Sequence, residues 1–416
     1  MNLNMELKRY KLGEIGEIRM CKRILKEETN SVGGVPFFKI GTFGGQADVF
    51  ITKEKFEEYK NAYSYPKKGD VLISAAGTIG RTVVFDGKDA YFQDSNIVWI
   101  ENDESKVLNE YLFYCYKNIR WTTSVGSTIL RLYNDDIRNT DIIVPPLSEQ
   151  KKIASVLSAL DDKIALNKKM NQKLEAMAKR LYDYWFVQYD FPDKNGRPYK
   201  TTGGPMTYNP TLKREIPVGW EVKTLDEYLD CNKYSLTAKS SYDFIQYLDT
   251  SSLTENTLES LQRYGSQAES PSRAKRIVHA NDILYSTVRP QQKHYGIIKN
   301  PAQNMIASTG FAILSCKYGS EYNDMFYLFL IQEKNLIKLS AIADSNASSY
   351  PSFNPSDLLD LTICLPNNLK IIEPLVKKFS SLFSIVERNQ KENQKLTALR
   401  DKLLPLLMNG QVVVAR

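Results

Sequence analysis

The 416-residue chain is poor in the residues that most enzymes use for chemistry. It has two histidines, His279 and His294, and neither stands at ligand spacing from a cysteine or carboxylate, which argues against a histidine-based metal site. Its five cysteines, Cys21, Cys115, Cys231, Cys316 and Cys364, are scattered singly. An odd, scattered set argues against a disulfide framework, and the thiols are expected to be reduced. No apolar run approaches the roughly 20 residues of a membrane span, and the opening MNLNMELKRYKLGEIGEI has no apolar signal core. A cytoplasmic location and no membrane partner are therefore expected. Neither a G-x-x-x-x-G-K-[ST] phosphate loop nor a G-x-G-x-x-G turn is present, so no nucleotide cofactor is expected in this chain.

What remains is an ordinary globular composition, 42% apolar and 25% charged, in a chain long enough for two or three domains. Lys+Arg 55 against Asp+Glu 48 gives a net charge of +7, and 25 tyrosines accompany the cations. Aromatics interleaved with basic residues suit an anionic, base-bearing partner.

The chain is organised around residues 153–185. Ile153, Leu157, Leu160, Ile164, Leu174, Ala178, Leu181 and Trp185 follow alternating four-and-three spacing, and Asn167 and Asn171 occupy two places in the same seam. That is a heptad seam on one helix of about 35 residues, roughly 50 Å long. A helix of that length needs a partner. About 222 positions further on the seam recurs as Leu375, Phe379, Leu382, Val386, Asn389, Asn393, Leu396, Arg400, Leu403 and Leu407, and the second asparagine of each pair opens NQKL in both copies. Two unrelated amphipathic helices would share apolar periodicity with their asparagines on a wet flank. Matching seam amides point instead to an antiparallel pair whose register Asn167, Asn171, Asn389 and Asn393 fix.

The segments before each helix repeat as well. Lys68-Gly69-Asp70 leads into an apolar run at 71–73, a glycine loop at 77–80, a second run at 82–85 and a third at 97–100, and Asn109 opens EYLFYCYKN as a capped helix. In the second half HANDILYSTVRP places Asp282 where Asp70 stood, about 212 positions on; GFAILSC replaces the 97–100 run, and Asn323-Asp324 opens MFYLFLIQEKN. Each half then has a polar loop (124–133; 343–353), a short strand (142–144; 361–365), a proline and the long helix. Side chains diverge most in the loops, as two readers with different targets would. The Gly- and Pro-rich stretch 187–220 carries Tyr189, Phe191, Tyr199, Tyr208 and Trp220, which favours a loop packed on the surface over a free linker. The expected boundaries are 1–146, a first mixed α/β domain; 147–187, the central long helix; 188–366, linker and second mixed α/β domain; and 367–416, the C-terminal helix and tail.

VPPLSEQKKIASVLSALDDKI, the DFPDKNGRPYK to LKREIPVGW linker and the terminal LLPLLMNGQVVV resemble the DNA-specificity subunit of type I restriction-modification systems, and the resemblance covers essentially the whole chain. It implies an α+β fold with two mixed α/β target-recognition domains in tandem, separated by two long helices pairing as an antiparallel coiled coil with a pseudo-two-fold. It also implies a non-catalytic subunit that binds double-stranded DNA at two half-sites, docks two methyltransferase (modification) subunits and joins restriction subunits. S-adenosylmethionine is then expected on the partner subunits. CLPNNLKIIEPL replaces the VPPLSEQKKIA junction in the second half, a departure from the pattern. Geometry agrees with the resemblance, because a rigid pair of about 50 Å with a reader at each end spaces half-sites by one DNA turn, near 34 Å, or more.

Catalytic alternatives find little support. Pro145-Pro146 lies between Val144 and Leu147 and lacks the polar and aromatic neighbours of an NPPY-type base-methyltransferase motif; Asp161-Asp162 beside Lys163 reads as solvated charge on the long helix. The competing functions are an independent DNA-modifying enzyme and a coiled-coil scaffold. DNA contacts need cations for phosphates and Arg, Asn, Gln, Ser or Thr for base edges. Candidates in the first half are Ser74, Thr78 and Arg81 around the glycine loop and Ser127, Thr128 and Arg131 in VGSTILRLY. In the second half they are Arg289, Gln291, Gln292, Lys293 and His294, joined by Asn346, Ser348, Ser349 and Tyr350.

Overall fold

The structure is a computed structural model describing residues 6–121, 131–237, 240, 242–346 and 350–414. It resolves into two compact units, one comprising Met1–Ile164 with Gln394–Arg416 and the other Ala165–Asn393. Each unit therefore contains half of both long helices.

The first unit contains β1 (Lys8–Lys11), β2 (Gly16–Met20), β3 (Val35–Phe38), β4 (Val49–Ile51), α1 (Lys53–Ala62), β5 (Val71–Ser74), β6 (Thr82–Val84), β7 (Tyr91–Phe92), β8 (Ile97–Asn102), α2 (Asn109–Asn118), α3 (Asn134–Arg138), β9 (Asp141–Val144) and the start of α4 (Leu147–Tyr182). The antiparallel sheet β2-β8-β5-β6 is its centre, beside a three-stranded sheet β4-β3-β7 in which β3 and β7 run parallel. All four residues of β5 are buried, because both faces are covered. Strand periodicity divides them: Val71 and Ile73 face a core with Tyr111, Leu112, Ile153, Leu157 and Leu407, while Leu72 and Trp99 face a second core with Phe37, Phe56 and Tyr91. Asn109 begins α2 but does not cap it; its Oδ1 accepts from Asn102 Nδ2 at 2.9 Å.

The second unit continues α4 and contains β10 (Met206–Asn209), β11 (Arg214–Pro217), β12 (Trp220–Thr224), β13 (Leu229–Cys231), β14 (Ile245–Leu248), β15 (Leu253–Thr254), β16 (Thr257–Leu258), β17 (Gln262–Tyr264), β18 (Ala274–Ile277), β19 (Asp282–Ser286), β20 (Tyr295–Ile298), β21 (Met305–Ser308), β22 (Phe311–Cys316), α5 (Asn323–Leu330), α6 (Glu333–Ser345), α7 (Pro355–Leu359), β23 (Thr362–Pro366) and the start of α8 (Glu373–Met408). Its antiparallel sheet β13-β22-β19-β20 has the connectivity of β2-β8-β5-β6, and β14 pairs parallel with β21 as β3 does with β7. The turn before the third strand is the same in both: Asp70 Oδ2 accepts from Lys67 N, and Asp282 Oδ2 from His279 N, each at 2.7 Å. Burial pushes the Asp282 carboxyl up to about 6 despite that bond.

The helices pair antiparallel within each unit. In the second, Asn389 Nδ2 donates to Asn171 Oδ1 at 2.8 Å, Asn171 Nδ2 to the Val386 carbonyl at 3.1 Å, and Asn167 Nδ2 to Asn393 Oδ1 at 2.9 Å. Antiparallel pairing thus sets each amide against the non-equivalent amide of the other copy. Phe383, not Leu382, is the buried seam residue there, because its ring packs edge-on against Tyr327 at 5.5 Å. In the first unit Asp161 is no solvated charge: its carboxylate accepts from Arg400 at 2.7 Å, Tyr114 Oη at 3.1 Å and Lys117 at 3.3 Å. Burial alone would raise its pKa, but these partners outweigh burial and hold it below the usual carboxylate range. Burial also drags the Lys117 ammonium down, so Arg400, whose pKa is raised, is the main counter-charge.

The 187–220 stretch packs down as its aromatics suggested. Phe191 stacks between Tyr199 and Trp220 at 4.6 and 5.1 Å, although Tyr208 stays exposed. All five cysteines are free.

Candidate nucleic-acid interface

The predicted contact loops occupy equivalent places. Residues 75–81 join β5 to β6, and residues 287–294 join β19 to β20. Both are closed by the last serine of the preceding strand. Ser74 Oγ donates to the Thr78 carbonyl at 2.5 Å and accepts from Arg81 N at 2.9 Å; Ser286 Oγ donates to the Val288 carbonyl at 2.9 Å. Ser74 is fully buried by this task, so it shapes the loop and presents nothing at the surface. This corrects its reading as a contact residue.

In each unit the hairpin loop meets the polar loop that lies far from it in sequence. Leu132 N donates to the Ala75 carbonyl at 2.7 Å, and Phe353 N to the Thr287 carbonyl at 3.0 Å. Ala76 forms a bridge with Arg131, and Val288 with Ser352. The candidate segments 78–81 and 131 thus converge, as do 289–294 and 350. Ser127, Thr128, Ser348 and Ser349 lie outside the described residues.

The side chains of these loops are committed to different degrees. Arg81 donates to the Phe43 carbonyl at 2.9 Å and Arg131 to the Ser95 carbonyl at 3.0 Å, so both brace neighbouring loops. Thr78 is exposed. Lys293 is paired with Glu255 at 2.8 Å. His294 is half-buried, with Nδ1 3.0 Å from both the Leu253 carbonyl and Thr254 Oγ1; the carbonyl requires that this nitrogen carry the proton. Asn346 Nδ2 donates to the Ser352 carbonyl at 3.2 Å, and Gln291 Nε2 lies 3.5 Å from Asp344. Gln292 is exposed, and the Arg289 guanidinium lies 5.3 Å from the centre of the exposed Tyr350 ring.

Backbone strain gathers at the same place. Gly77 and Gly80 take positive φ in the first loop, whereas Arg289 (φ 47°), Lys293 (φ 57°), Glu255 (φ 43°) and Asn256 (φ 63°) do so in and against the second. A left-handed residue bearing a Cβ costs about 1–2 kcal/mol and persists only where its surroundings impose it. Glu255, Asp344 and Ser286 were absent from the sequence candidates. Ser286 was accessible through the offset that relates it to Ser74, but nothing in the sequence ties Glu255 to Lys293. Among the described residues there is no cluster of three His, Cys, Asp or Glu able to hold a metal, and no helix long and apolar enough to cross a membrane.

A family model for the type I restriction modification DNA specificity domain matches residues 4–176 and again 217–398. The chain belongs to this family. It is 25% identical to the type I restriction enzyme MjaIX specificity subunit of Methanocaldococcus jannaschii, over 98% of this chain and 97% of that one. It is 56% identical over 161 residues to a putative type I restriction enzyme specificity subunit of Haemophilus influenzae, covering 39% of this chain and 42% of that relative. Its fold is similar to the crystal structure of a type I restriction-modification S subunit from M. genitalium, with a TM-score of 0.61, 15% identity and coverage of 98% and 97%. The two matched segments coincide with the two copies of the sheet and loop arrangement, so the tandem recognition domains are family features of this chain.

Proposed function

We propose that this family member is a non-catalytic specificity subunit that reads a bipartite DNA sequence, one half-site per unit, through the paired loops 75–81 with 131 and 287–294 with 350. One observation carries the reading: the same sheet, the same serine-closed hairpin and the same bridge to a polar loop occur twice, while the side chains displayed there differ. A duplicated scaffold with divergent loops is suited to two different half-sites. The two 36-residue helices, each about 54 Å at 1.5 Å per residue, are proposed to set the spacer and to offer their outer faces to two methyltransferase subunits, with restriction subunits joining that assembly. S-adenosylmethionine belongs to those partners on this reading.

The test uses the assembled methyltransferase complex and methylation mapping of a genome exposed to it. Gln292→Ala should relax one half of the recognised sequence only, a good bidentate contact contributing about 1–3 kcal/mol. One heptad inserted into both long helices should lengthen the spacer and leave both half-sites intact. An unchanged spacer rejects the ruler, and methyl transfer by the purified chain alone rejects the non-catalytic assignment.

A further inference from the structure

The position that the first loop fills with Gly77 is filled in the second by Arg289, at the same offset that relates Ser74 to Ser286 and Asp70 to Asp282. Both residues are left-handed, with φ 65° and 47°. The conformation is therefore a property of the duplicated hairpin. Glycine adopts it without strain, and arginine does not. Two hydrogen bonds hold Arg289 there against the extended bias that the following Pro290 exerts: its N–H donates to the Pro351 carbonyl at 2.9 Å, and its carbonyl accepts from Gln292 N at 2.9 Å. The side chain is exposed and its guanidinium lies over the Tyr350 ring.

Arg289 differs from the other cations of the two loops in what its nitrogens do. Those of Arg81, Arg131 and Lys293 already have protein acceptors at 2.8 to 3.0 Å. Among the described residues no carboxylate or carbonyl accepts a hydrogen bond from the Arg289 guanidinium. The π face of a ring attracts a guanidinium without consuming its N–H donors, so a planar pair of parallel donors remains available to a ligand. Such a fork matches two acceptors on one edge, and in the DNA major groove that pattern is guanine O6 and N7.

We infer that Arg289 reads a guanine in the half-site of the second unit, with Tyr350 as the positioning residue that holds its guanidinium in place. The inference rests on the proposed DNA-reading function and names one base class within it. Gln291 is held 3.5 Å from Asp344 and Lys293 is neutralised by Glu255, which leaves Arg289 as the directed cation of this loop.

Arg289→Gly is the informative substitution, because glycine relaxes the left-handed backbone and removes only the side chain. With the assembled methyltransferase complex and a duplex library randomised at every half-site position, Arg289→Gly should lose roughly 5- to 150-fold preference for guanine at one position of one half-site. Other positions should keep theirs. Tyr350→Phe retains the stacking face and should keep the preference, whereas Tyr350→Leu should weaken it at that same position. A uniform loss at all sequences, with a shallower dependence on salt, would make Arg289 a phosphate contact and overturn the assignment. So would unchanged specificity in Arg289→Gly. If the wild-type complex shows no sequence preference at all, the DNA-reading function itself fails, an outcome distinct from both.

Discussion

Asn171 and Asn389 form a buried amide pair in the helix seam of the second unit, and their removal one at a time and together has a calculable signature. Asn171→Leu leaves Asn389 Nδ2, which donates to Asn171 Oδ1 at 2.8 Å, without its acceptor in a position only 5% exposed. A buried donor deprived of its partner costs about 1–3 kcal/mol. Added leucine burial offsets part of that, so a net loss of about 1 kcal/mol is expected for Asn171→Leu, and a similar loss for Asn389→Leu. The double variant orphans neither amide and places two leucines in facing seam positions, so it should be as stable as the wild type or more so, with a coupling of about 1–3 kcal/mol. Hydrogen exchange of the backbone amides in 165–182 and 373–393, followed in graded urea, reads the helix pair directly. The gain in stability should carry a loss in uniqueness, because a seam of leucines tolerates slippage by a heptad. Heterogeneous half-site spacing in the double variant would show it. Additive single effects, with no coupling beyond about 0.5 kcal/mol, would refute the pairing.

Three other perturbations follow from the packing. Lys299 and Asp324 form an almost fully buried ion pair at 2.8 Å, and burial pushes the Asp324 carboxyl up to about 6 even beside the ammonium. Asp324→Ala should destabilise the second unit by about 3–5 kcal/mol by stranding Lys299, while Lys299→Met with Asp324→Leu should be neutral or stabilising, as urea unfolding will register. Asp161, depressed on folding, stabilises the first unit above its unfolded pKa of about 3.9 and loses that contribution as pH falls through its lower folded value. The gap between wild type and Asp161→Asn in urea midpoint should therefore be on the order of 1–2 kcal/mol at pH 7 and close in acid; a gap that does not change with pH would contradict the Arg400 linkage. Gly80 has φ 81°, and a Cβ there would lie 2.5 Å from Trp121 Cδ1, so Gly80→Ala should shift the first loop and alter Trp121 fluorescence at a cost of about 1–3 kcal/mol.

The long helices, the order of strands and the place of both loops were legible in the sequence because each is encoded by a pattern that recurs. Seam asparagines, the Asp70 and Asp282 turns and the apolar runs of β5 and β19 all reappear at nearly constant offset. What was not legible depends on pairs without periodicity. Lys293 reaches Glu255, in the turn between β15 and β16, across 38 positions, and Arg400 reaches Asp161 across 239. Heptad counting also misplaced the buried position at 382–383, since adjacent residues compete for the seam and Tyr327 selects Phe383. Ser74 was misread because a serine in a loop and a serine closing a loop have the same one-letter signature.

That division between repeated and unrepeated residues has a physical rationale in the helices. Carried by the repeat offset, Asp161 falls on Phe383 and Arg400 on Ala178, so a charged clamp in the first unit corresponds to an aromatic core in the second. Had the clamp been repeated along with the asparagines, a slipped or exchanged pairing would satisfy the same groups. With it present once, another register separates Asp161 from Arg400, which leaves a partly buried charge without its partner. The repeated amides make the helices able to pair, and the unrepeated charges restrict them to one way of doing so.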